Sequence, residues 1–146
     1  MNDRQYETDF ALWSERQADA LRRRAANEID WDNVAEEIES LSRSDKREIR
    51  NRLEVLLQHL LKWARQPEQR SSGWRGTIVE QRRRLWQLVK ESPSLQSYPG
   101  AKLSEAYDGG REDTQIEMEF TDLPLVCLWT IEQVMDHVFW LELLSP

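Results

Sequence analysis

Between residues 31 and 66 the chain has no glycine or proline, and its apolar residues recur at helical spacing. Val34, Ile38, Leu41, Ile49, Leu53, Leu56, Leu57 and Leu60 fall on one stripe that only Asp45 interrupts. The pattern predicts a long helix, roughly 54 Å at 1.5 Å per residue if unbroken. Ser42 and Ser44 offer an alternative, a break into two helices near "SRSD". Asp30 suits the N-cap, with Asn33 three residues on and Ile29 and Val34 placed for an apolar staple. Pro67 ends the run.

Shorter patterns flank it. Thr8 or Asp9 can cap a first helix carrying Phe10, Trp13, Ala20 and Leu21 on its apolar side, with three arginines at 22–24 where cations suit the helix dipole. Ser72 or Gly73 opens a third helix with Trp74, Ile78, Leu85, Trp86 and Val89, and "ESPSL" closes it. Pro99 starts a fourth, with Leu103, Ala106 and Tyr107 on one side, until Gly109 and Gly110 weaken it by roughly 1 kcal/mol each relative to alanine. "TQIEMEF" alternates apolar and acidic residues; with no sheet to join, it reads as an extended segment laid over a bundle. Thr130 and Gln133 make a capping box for a last helix through Val134 and His137, followed by "VFWLELL". The expected fold is all-α: a helical bundle of about five helices with a long central second helix, residues 1–146 forming one domain.

Composition agrees, since five glycines and five prolines in 146 residues suit long helices rather than a turn-rich sandwich or barrel. A net charge of −7 disfavours nucleic acid and anionic membranes as partners. Cys127 is the sole cysteine, which excludes an intramolecular disulfide and a multi-cysteine zinc site and reads as a buried, inert thiol. "MNDRQYETDF" has no signal-peptide character and no window suits a membrane span, so the expected location is cytoplasmic.

Three patterns carry candidate chemistry. In "EEIESL", with Ile38 inward, Glu36 points nearly opposite while Glu37 and Glu39 flank the stripe; a solvated face is the plainer reading than a metal cluster. His59 lies on the helix flank beside Arg52, Val55, Leu56 and Trp63, and on a continuous helix Glu37 is roughly 33 Å away, so any acidic partner comes from elsewhere. With His137 the only other histidine, a boundary histidine with one hydrogen bond outweighs a ligand or general base. In "SGWRGTIVEQRRRLW", Arg75 and Arg82 share a side near the apolar stripe, whereas Glu80 and Arg83 point outward. An arginine so placed needs a carboxylate, for which Glu37 or Glu39 would serve. Trp63, Trp74, Arg75 and Glu80 are possible cleft residues. No phosphate-cradling loop, nucleotide fingerprint, zinc-protease motif or nucleophile elbow occurs, so no cofactor and no metal is expected.

"YETDFALW", "EEIESL", "LEVLLQHLLKW", "SGWRGTIVEQR", "SPSL" and "WTIEQVMD", in this order and spacing, resemble a bacterial family known as domain of unknown function number 29. The resemblance spans nearly the whole chain and implies an all-helical, bundle-like domain with no established activity, cofactor or substrate. Gly109 with Gly110, and the apolar "FTDLPLVCLW", depart from its pattern.

The leading functional expectation is a protein-interaction module, binding a protein partner or a second copy of itself through the apolar tail "VMDHVFWLELL". The alternative is a hydrolytic or metal-dependent enzyme using His59 with Glu36, Glu37, Glu39 or Glu80. A third is nucleic-acid binding through the arginines at 22–24 and 82–84.

Overall fold

The computed structural model describes residues 3–139, which are all-α with no strand among them. None of the described helices is long and apolar enough to cross a membrane. The chain divides into two compact units, Met1–Ser44 and Asp45–Pro146.

The first unit holds α1 (Asp3–Thr8), α2 (Phe10–Arg23), a 3₁₀ turn at Ala26–Glu28 and the opening turns of α3 (Trp31–Arg65). The short α1 was not legible in the apolar pattern, so the long helix is third in order. Of the two possible caps for α2 the structure uses Asp9, whose carboxylate accepts the Leu12 N–H at 3.1 Å. Arg24 ends the helix in the left-handed region at φ 56°, its N–H returning to the carbonyls of Ala20 and Leu21. The buried centre of this unit is partly polar. Gln17 accepts the Asp30 N–H at 2.7 Å and donates to the Glu28 carbonyl at 3.2 Å, while Trp13 Nε1 donates to the Asp30 carboxylate at 3.1 Å. Asn33 Nδ2 adds a fourth bond, at 2.8 Å, to the same carboxylate. Buried polar groups are tolerated only when satisfied, and these bonds fix how α2 meets the start of α3.

α3 is one helix of 35 residues, continuous through Ser42 and Ser44. In the second unit its leucine face, from Ile49 to Leu61, forms the core with Ile78, Leu85 and Val89 of α4 (Ser72–Glu91) and Ala106 and Tyr107 of α6 (Leu103–Met118). Ser71 caps α4 by accepting the Trp74 N–H at 3.1 Å. At the other end of α3, Arg70 donates to the Trp63 carbonyl at 2.8 Å and its guanidinium lies 4.9 Å from the Trp63 ring centre, a cation at a helix C-terminus.

Pro99 falls in the short α5 (Tyr98–Ala101), and α6 follows it without breaking at Gly109 and Gly110. The reason is proximity. A Cβ at Gly110 would sit 2.9 Å from the Glu54 carbonyl oxygen and 3.1 Å from the Gln58 nitrogen, so the glycine lets α6 approach the α3 backbone. Ala106, Gly110 and Thr114 lie four residues apart on that face, all buried, and Thr114 Oγ1 donates to the Gly110 carbonyl at 2.7 Å. The helix therefore absorbs most of "TQIEMEF", and the extended segment expected there is replaced by helix as far as Met118. Irregular chain then leads to α7 (Ile131–Met135), which opens on the expected Thr130–Gln133 capping box. α7 stops at Met135, before His137. Of the apolar tail, residues 140–144 lie outside the described residues.

Candidate functional site

In the first unit the apolar stripe of α3 is open to water. Ile38 and Leu41 are 62% and 68% exposed, whereas Ile49 and Leu53, on the same stripe, are 0% exposed. Facing them, α2 presents Phe10, Ser14, Ala18 and Leu21, and with Val34 these residues line a groove of about 470 Å³. Among the lining residues Glu37 alone is charged. Its carboxylate accepts the Tyr6 hydroxyl, which pushes the Tyr6 phenol up to about 12, first through that bond. The Tyr6 ring meets Trp13 and Phe10 edge-on, with centroids 4.6 and 5.9 Å apart. Glu39 and Glu36 instead hold Arg43, at 3.7 and 2.5 Å.

The second unit collects the polar side chains of α3. His59 is half-buried, and its Nδ1 lies 2.9 Å from the Val55 carbonyl. A carbonyl can only accept, so Nδ1 carries the proton and Nε2 the lone pair. Burial holds the imidazole below its ordinary value of 6.5. Lys62, one turn on, has only 4% of its side chain exposed; its ammonium reaches Glu117 at 2.7 Å and lies 5.4 Å from the Trp74 ring centre. Gln58 donates to the other oxygen of Glu117 at 2.8 Å. Glu117 is thus a carboxylate whose charge acts on the histidine, and the alternating pattern around it hid its helical position.

Arg82 is 1% exposed, and the expectation that Glu37 or Glu39 pairs with it is corrected. Its Nε donates to the Val134 carbonyl at 2.8 Å, in the last turn of α7, while Glu37 and Glu39 are engaged with Tyr6 and Arg43. One turn along α4, Trp86 Nε1 donates to the Met135 carbonyl at 2.8 Å. Together they satisfy carbonyls that the end of α7 leaves without helical partners. The Arg82 Nη groups are buried without a hydrogen-bond partner among the described residues, and burial lowers the guanidinium to about 10, partly offset by Asp136.

The remaining candidates are dispersed. Trp63 is buried in the core, Trp74 half-buried and Arg75 exposed. Glu80 is exposed and binds Arg83 at 2.8 Å, and Arg84 reaches Gln87 and Glu48. At 22–24, Arg23 is held by Asp19 and Glu28. Among the described residues no group of three or more histidine, cysteine, aspartate or glutamate side chains is placed to hold a metal ion.

The motifs that resembled a known family sit on these elements in order, and residues 5–140 match the family described as Domain of unknown function DUF29. The chain belongs to the DUF29 family. No curated protein and no solved structure matches it. DUF29 membership thus accounts for the ordered motifs and assigns no chemistry to them.

Proposed function

We propose that the chain is a protein-interaction module that docks a partner in the apolar groove of its first unit. The observation that supports this reading is the exposure of Ile38 and Leu41 on a stripe whose continuation is dry. Single exposed apolar residues are ordinary, but Phe10, Leu21, Ile38 and Leu41 are large, adjacent and share one groove. Phe10 also packs on Tyr6 and Trp13, whereas Ile38 and Leu41 lie outside the unit's buried set of Trp13, Gln17, Ala20, Ile29 and Asp30.

The test is the double variant Ile38→Glu with Leu41→Glu. Side chains on a docking face tolerate the change, so thermal unfolding should shift by less than about 0.5 kcal/mol equivalent. A partner identified by co-purification with the wild-type chain should be lost from the variant. A stability loss of about 2 kcal/mol or more would show that these side chains serve the fold, and the reading would fall.

A further inference from the structure

We infer that a cleft between α4 and α7 is a binding site for a small organic cation, an ammonium carried on an apolar body; it lies in the second unit and stands independently of the groove. The cleft encloses about 580 Å³, within the roughly 300–1,000 Å³ of small-molecule sites. Its walls are Trp86 and Val89 of α4, Pro99 of α5, and Ile131 and Met135 of α7. Glu132 of α7 and Asp136, its C-cap, are four residues apart and share a side; both are exposed and both line the cleft. Gln96 and His137 complete the polar lining, and among the described residues no lysine or arginine contributes to it.

The walls are held in place. α7 has five residues, too few to keep its helical form alone, and two side chains of α4 anchor it: buried Arg82 on the Val134 carbonyl and Trp86 on the Met135 carbonyl, each at 2.8 Å. The second bond also fixes the indole, which is 43% exposed and so presents ring surface to the cleft. Indole is the side chain whose face attracts cations most strongly, and besides the His137 imidazole the two carboxylates are the only ionisable groups on the lining. Asp136 is partly committed, since it accepts the Val138 N–H at 2.9 Å and its charge acts on Arg82. Glu132 has no basic partner among the described residues, so it sets the preference for positive charge. An anion would meet both acids, and the unpartnered nitrogens of Arg82 are buried and do not line the cleft, so they offer it no compensation.

The probe is 2-phenylethylammonium, compared with the similarly sized neutral 2-phenylethanol and the anion 3-phenylpropionate. Each is titrated into the full chain at low salt and pH 8, where the amine is charged and an ordinary imidazole neutral. The ammonium should bind at least about fivefold tighter than the alcohol, with the anion weakest, and the first gap should narrow as salt rises. Amide and indole shifts should centre on Trp86 and residues 131–137. Glu132→Gln with Asp136→Asn, two exposed changes that keep the Asp136 cap oxygen, should bring the ammonium within about twofold of the alcohol and leave the alcohol's affinity unchanged. Ile38→Glu with Leu41→Glu should not alter the affinity for the ammonium, so failure of this site leaves the groove reading intact. Equal wild-type affinity for ammonium and alcohol, no binding of either at about 10 mM, shifts lying away from the cleft, or a cation preference that survives removal of both carboxylates would overturn the inference.

Discussion

Lys62 sits inside a leucine core, and its tolerance there depends on Glu117. The side chain is 4% exposed, its ammonium is 2.7 Å from one Glu117 oxygen, and the Trp74 ring, with its centre 5.4 Å away, is a second source of attraction. Glu117→Ala leaves the ammonium with the ring alone. Removing one partner of a fully buried pair costs about 3–5 kcal/mol, but the Glu117 side chain is 50% exposed, so water reaches that end and the expected cost falls to about 2 kcal/mol. Lys62→Met removes the charge and keeps the length and the packing, so its expected effect lies between zero and about 1–2 kcal/mol of stabilisation. In the Lys62→Met background, Glu117→Ala should cost no more than about 0.5 kcal/mol, as for an exposed residue. Urea unfolding followed by tryptophan fluorescence measures all four species on one scale. Two results refute the reasoning: Glu117→Ala within about 0.5 kcal/mol of wild type, or Lys62→Met as destabilising as Glu117→Ala.

Other predictions follow from close contacts and titrating groups. Gly110→Ala should destabilise by about 1–3 kcal/mol, because its Cβ would meet backbone atoms of α3 that cannot step aside. Gly76→Ala, whose Cβ meets nothing within 4 Å on α4, should stabilise by about 0.5–1 kcal/mol; urea midpoints that fail to separate the two variants contradict this account of the crossing. The Tyr6 phenol is raised from 10.0 to about 12, so its bond to Glu37 contributes fully below pH 10 and is lost as pH climbs through about 12. Glu37→Gln should return the Tyr6 midpoint toward 10.0 in a tyrosine carbon-13 titration, and an unmoved midpoint would exclude the carboxylate as cause. His59 is lowered from 6.5, so the unfolded chain binds its proton first; stability is complete above pH 6.5 and declines as pH falls from there to the folded-state value. A nitrogen-15 titration showing His59 at or above 6.5, or a neutral ring protonated on Nε2, would overturn the burial and the hydrogen bond inferred for it.

Much of the helical architecture was legible because its signals are local. Asp9 and the Thr130–Gln133 pair each cap a helix within three residues of themselves, α4 opens at Ser72, and Pro67 ends α3 by its own ring geometry. What escaped depends on distant chain. Gly109 and Gly110 look like helix breakers until α3 is seen against them, the Glu54 carboxylate against Gly109 and the α3 backbone against Gly110, and only then does the helix carry Glu117 to Lys62. The partner of Arg82 was sought among carboxylates because charge pairing is the usual solution. The structure instead uses the Val134 carbonyl near the end of α7, a site that exists only once that helix has formed and stopped.

The apolar stripe of α3 shows the limit of periodicity most clearly. Spacing alone places Ile38, Leu41, Ile49 and Leu53 on one face, and nothing in it distinguishes a side chain packed by its own chain from one left for another molecule. The distinction comes from what each unit puts opposite. Beyond Ile49, α4 and α6 supply leucine, isoleucine, valine and tyrosine, and the face is dry. Before it, the first unit spends Trp13, Gln17 and Asp30 on a buried polar junction, and the small Ser14 and Ala18 of α2 stand beside Ile38 and Leu41 without covering them. Burying polar groups while exposing large apolar ones runs against the hydrophobic driving force within that unit. Under the proposed interaction reading a partner covering the groove would relieve that imbalance, and for that reason α2 and residues 31–44, rather than the histidine of the leucine core, are where function should be sought first.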